Sequence, residues 1–196
     1  MPPRVSTLSR TAYSAVAFLF LLGAQAATVS WKAPVSGAWA DGVNWSTGTP
    51  PGALDKVVID TPGFYTVTAN GLIHVGSVQL GGAQGRQTLE LQTGSLVCTG
   101  ASTVGTNGIF NLAGGEVAGP ATWTIDGTFN WSGGGLNGAG KTTFSPGSVV
   151  TVLGGVQKSH FGRTIENRTT VLWRDQGGTV VGFGASWINE IGRAHV

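Results

Sequence analysis

The chain repeats a short pattern about every twenty residues, and this limits its folds more than any other feature. Four segments read apolar-x-apolar-x-x-Gly, and three of them add a further apolar residue two places on. They are Leu89-x-Leu91-x-x-Gly94-x-Leu96, Phe110-x-Leu112-x-x-Gly115-x-Val117, Phe129-x-Trp131-x-x-Gly134-x-Leu136 and Val150-x-Val152-x-x-Gly155. Val171-x-Trp173 carries the series on, with Gly177 one place late. The starts at 89, 110, 129, 150 and 171 are separated by 21, 19, 21 and 21 residues. Apolar-x-apolar is the period of a strand with one buried face. Glycine then lets the chain bend sharply, and the apolar residue after the bend points inward again. Three short strands with their turns make one coil of a parallel β-solenoid.

A single coil cannot stand alone. It would bury four or five apolar side chains at roughly 1.5–3 kcal/mol each, against ~1–2 kcal/mol for ordering each of about twenty backbones. Coils must therefore stack in series and bond to one another. An antiparallel sandwich also alternates, but it does not require constant spacing between strand starts. Nothing in the chain resembles an immunoglobulin-type Cys…Trp…Cys pattern. The expected fold is all-β, a single-domain parallel β-solenoid (β-helix) with coils over residues 76–190. Composition agrees: 33 of 196 residues are Gly and 10% are charged, a poor recipe for helices, in which each interior Gly costs about 1 kcal/mol.

Residues 27–75 read differently, as a Trp-rich N-terminal cap with the first strands. Trp31, Trp39 and Trp45 precede Gly48-Thr-Pro50-Pro51-Gly52, and strands are expected at Val57-x-Ile59 and Tyr65-x-Val67 with a turn at Thr61-Pro62-Gly63. A solenoid's first coil exposes an unpaired edge and an open core, which such a segment would cover. The alternative for Trp31, Trp39 and Trp45 is a platform for extracellular glycans.

The two ends carry other signals. Residues 1–26 have the form of a secretory signal peptide: Arg4 and Arg10, an apolar Ala15–Leu22, and Ala24-Gln25-Ala26 as cleavage site. The apolar run from Ala12 to Gly23 falls short of the ~20 residues of a membrane span, so no span is expected after cleavage. The last six residues, Ile191-Gly-Arg-Ala-His-Val196, match the translation of a sequencing adapter and are expected to be a non-native tail, with C-terminal coils or domains missing. Without Arg4, Arg10 and Arg193, 8 basic residues face 9 acidic ones. A nucleic-acid partner, which needs a basic face, is not expected.

The opening Trp31…Gly37-Ala-Trp39…Asn44-Trp45-Ser…Gly48-x-Pro50…Asp55-x-Val57-x-Ile59…Tyr65-x-Val67-Thr, followed by coils such as Gly127-Thr-Phe-Asn-Trp131-Ser-Gly-Gly134, resembles the N-terminal region of large secreted bacterial β-solenoid proteins of autotransporter-passenger and surface-adhesin type. The resemblance covers nearly all of residues 27–190, lies in pattern rather than in a diagnostic motif, and implies no catalytic residues.

Chemistry is sparsely marked. Gly135-Leu-Asn-Gly-Ala-Gly140-Lys141-Thr142 fits the phosphate-loop expression. However, Pro146, Gly147 and a β-branched run follow where a helix is required. Glu90 and Glu116 lie at different offsets in their coils, so they need not face each other as glycosidase carboxyls must. Arg163, Arg168 and Arg174 stand near Glu166 and Asp175 without the acidic ligand set of a Ca²⁺-dependent lyase. His74 and His160 are far apart, and the one cysteine, Cys98, reads as core. No cofactor, metal or catalytic residue is assigned. The expected role is a secreted or cell-surface structural or adhesive module, with surface proteins or glycans as partners. The alternatives are a glycan-binding module and a polysaccharide lyase or glycoside hydrolase on a β-helix.

Overall fold

The computed structural model describes residues 25–191. Most of the leader and the residues after Ile191 lie outside them. The chain winds as a three-faced parallel β-solenoid of six complete coils. The first face stacks Thr28–Ser30, Lys56–Ile59, Ser77–Leu80, Ser102–Val104, Thr122–Ile125, Lys141–Phe144, Thr164–Asn167 and Ser186–Asn189. The second stacks Gly37–Ala38, Gly63–Ala69, Gly85–Leu91, Gly108–Leu112, Thr128–Trp131, Val149–Gly154 and Val171–Asp175. The third stacks Leu72–Val75, Ser95–Cys98, Glu116–Ala118, Gly134–Asn137, Lys158–Phe161 and Thr179–Gly182.

The repeat starts are one file of the second face. Leu89 pairs with Phe110, Phe110 with Phe129, Phe129 with Val150 and Val150 with Val171. Val67 extends the file by one coil toward the N-terminus. The Phe110 and Phe129 rings meet edge to face, with centroids 5.7 Å apart. The apolar residue after the bend heads the third face, where Leu96, Val117 and Leu136 lie in register. Like side chains thus sit above like, and the core runs unbroken from Trp31 to Ile165.

The corner between these faces needs glycine. Gly134 has φ +72°, and a Cβ there would strike the carbonyl oxygen of Gly115 in the coil above. After Val152 the corner is longer by three residues. The position after Leu136 in the inward file therefore falls to His160, with Val181 next.

Trp31, Trp39 and Trp45 are 2%, 4% and 1% exposed, sealed over the first coil. Trp31 stacks at 6.4 Å on Tyr65 of that coil, Trp39 and Trp45 meet at 4.9 Å, and Trp45 Nε1 donates to Trp39 O at 2.7 Å. This corrects the platform alternative, because a sugar stacks on an open ring face and these rings have none. The first coil also begins earlier than residue 76, since Gly63–Ala69 and Leu72–Val75 are already two of its three strands.

Candidate functional site

Strand alternation sends every second side chain outward, and parallel stacking sets these residues about 4.8 Å apart along the solenoid axis. The result is a set of polar ladders that bond from coil to coil. On the third face, Ser95 Oγ donates to Glu116 Oε1 at 3.2 Å, while Asn137 Nδ2 reaches Glu116 Oε2 at 2.9 Å and Ser159 Oγ at 3.2 Å. On the second face, Asn130 Nδ2 donates to Asn111 Oδ1 at 3.0 Å. On the first face, Lys141 pairs with Glu166 at 3.1 Å, and Arg168 bridges Glu190 at 2.7 Å and Glu166 at 3.5 Å.

Two shallow hollows lie along these ladders. One, of about 380 Å³, is floored by corner glycines including Gly115 and Gly134 and walled by Glu116, Ser159 and Phe161. The other, of about 400 Å³, lies beside Glu90, Asn111, Asn130 and Ser132. Glu90 and Glu116 stand on different faces and do not form a facing carboxyl pair. Among the described residues, no three His, Cys, Asp or Glu side chains gather as metal ligands. The segment Gly135–Thr142 turns a solenoid corner between two strands, and Lys141 is held by Glu166 of the next coil. His74 faces outward in the first coil and His160 inward in the fifth. Cys98 is fully buried, which pushes its thiol up to about 11.

The polar residues that sequence reasoning missed are inside. Arg163 is completely buried at the corner between the third and first faces. Its guanidinium donates to the carbonyls of Asn137 (3.0 Å), Lys141 (3.1 Å), Ala121 (3.2 Å) and Gly119 (3.2 Å), and to Thr142 Oγ1 (3.3 Å). Burial lowers it to about 10, so it remains a cation at neutral pH. Gln87 does the same work above: its amide donates to the carbonyls of Thr61, Gly63 and Gln84 and accepts from Gly82 N–H. His160 Nε2 lies 2.7 Å from Arg163 O and donates to it, and burial lowers its affinity for a second proton. His160 takes its inward place because the corner after Val152 is lengthened, which the unchanged spacing of 21 residues from Val150 to Val171 hides. The register alone does not say that Arg163 turns in. Among the described residues, no helix is long and apolar enough to cross a membrane. Comparison with protein-family models, with curated proteins and with solved structures finds no match to this chain.

Proposed function

We propose that the chain is a structural, adhesive module of a secreted or cell-surface protein. The observation that supports this is the uninterrupted register of six coils under a sealed N-terminal end, with outward side chains bonded into cross-coil ladders. A surface of this kind is regular and stiff. Its donors and acceptors repeat at about 4.8 Å, which suits many weak contacts with an extended partner rather than one deep pocket. The scaffold lengthens by one strand spacing per coil, so reach is set by coil number and not by the chemistry of any one residue.

The reading is tested in two arms. A reporter fused after residue 30 should be exported and cleaved. Beads carrying residues 27–190 should adhere to cell or matrix surfaces in a manner weakened several-fold by Asn111→Lys with Asn130→Lys on one ladder. Retention of the reporter inside cells, or adhesion indifferent to these ladders and to their equivalents on the other faces, overturns it. Turnover of an acidic polysaccharide in the presence of Ca²⁺ would replace it with the enzymatic alternative.

A further inference from the structure

Three Asn-Gly pairs stand in the chain: Asn70-Gly71, Asn107-Gly108 and Asn137-Gly138. In such a pair the glycine nitrogen can close on the asparagine amide carbon, because glycine puts no Cβ in the way and leaves the backbone free to turn. The fold treats the three differently. Asn137 is held at both ends of its amide: Nδ2 donates to Glu116 Oε2 and Ser159 Oγ, and Oδ1 accepts from Phe161 N–H at 3.1 Å. Its glycine is crowded, with Gly119 N 2.7 Å from where a Cβ would stand. Asn107 Nδ2 donates to Gly82 O at 2.9 Å. The N–H that would have to attack it, that of Gly108, already donates to Gly105 O at 2.7 Å. Asn70 is the exception. It is exposed at the corner between Gly63–Ala69 and Leu72–Val75. Among the described residues, no atom beyond its chain neighbours lies within 4 Å of the Cβ position of Gly71, and its N–H has no hydrogen-bond partner. Asn70 Oδ1 accepts from Thr93 Oγ1 of the next coil at 3.0 Å, while Nδ2 makes only a long contact of 3.4 Å to Gln92 Oε1.

From these features we infer that Asn70 is a site of self-modification, converted to aspartate and isoaspartate through a cyclic imide. Hydroxide takes the Gly71 amide proton, and the nitrogen bonds to Asn70 Cγ. Negative charge then gathers on Oδ1, where the Thr93 hydroxyl already donates. The carbonyl re-forms as the Cγ–Nδ2 bond breaks, and Nδ2 leaves as ammonia after taking a proton from water. A second water opens the imide at either of its carbonyls. In sum, one amide and one water give a carboxylate and an ammonium ion, with nothing oxidised or reduced. Both products add a negative charge at the corner. Isoaspartate also inserts a methylene into the main chain between residues 70 and 71, which draws Gly71 O away from the Ser95 N–H that it now meets at 2.9 Å. The change is irreversible, and it falls on the coil over which the tryptophans are sealed.

The chain from Ala27, kept warm at neutral and at mildly alkaline pH, is the material for the test. Peptide mapping should find a mass gain of about 1 Da in the tryptic fragment 57–86, whose one asparagine is Asn70. Fragment 87–141, which carries the other two pairs, should change more slowly by about tenfold or more, because the fold holds their reacting atoms out of place. The rate at Asn70 should rise with pH, and the three pairs should become alike in urea. Thr93→Val should slow the reaction several-fold with unchanged circular dichroism, and Thr93→Ser should restore it. Amide exchange at Ser95 should quicken in the isoaspartate fraction. An Asn70 that stays intact overturns the inference, as does a folded chain in which Asn107 or Asn137 converts equally fast. So does a Thr93→Val variant that converts at the native rate.

Discussion

Arg163 illustrates how one side chain can set the register of several coils. It is a buried cation whose partners are neutral oxygens, four of them backbone carbonyls drawn from two coils above its own. Leaving such acceptors unpaired costs about 1–3 kcal/mol each where no water reaches them. Arg163→Ala should therefore lower stability by about 3–5 kcal/mol, read as the urea midpoint, and Arg163→Lys should recover only part of it because an ammonium cannot fork to five acceptors. His160 adds a dependence on pH. Unfolded, its ring takes a proton near 6.5, whereas burial in the folded chain lowers that value. Stability is thus whole above pH 6.5 and drains as pH falls from there through the folded value. The melting temperature of the native chain should drop between pH 7.5 and 5 by more than that of His160→Leu, whose own loss of the bond to Arg163 O is independent of pH. Equal slopes would remove His160 from the account.

At the scale of single strands and corners, local chemistry was largely legible. The strands expected around Val57–Ile59 and Tyr65–Val67 are found as Lys56–Ile59 and Gly63–Ala69. Glycines sit at the corners for different reasons. Gly134 needs both its left-handed backbone and its missing Cβ, whereas Gly147, at φ +84°, has open space around it. Gly147→Ala should cost only the backbone term of about 1–2 kcal/mol. Gly134→Ala must also displace the coil above and should cost several-fold more, a contrast that thermal unfolding of the two variants measures directly. The corner after Val152 was not legible. Two places after Gly155 stands Gln157 rather than an apolar residue, and the structure shows that His160, three residues further on, takes the inward place. The phosphate-loop expression met the reverse fate: its spelling is present, but a corner and two strands supply no helix N-terminus to hold a phosphate.

For the molecule as a whole, each coil contacts chiefly its two neighbours, so stability is close to a sum over coils and junctions. Removing residues 128–148 joins Gly127 to Val149 and brings Phe110 over Val150 in the same register. That variant should fold, with unchanged circular dichroism per residue and a lower melting temperature, while removal of half a coil should abolish the cooperative transition. Failure of the whole-coil deletion would show that particular long-range ties such as Arg163 outweigh stacking. The sequence by itself determined the coil, its length and the inward files, because a period of two broken by glycine at fixed spacing has only one way to bury its apolar residues repeatedly. It also marked the tryptophans as unlike the rest. Tertiary structure alone decided that these rings face the core and that Arg163, Gln87 and His160 turn inward to satisfy corner carbonyls. Those outcomes depend on where orphaned backbone oxygens fall after the coils have stacked, and no stretch of sequence read along its own length contains that information.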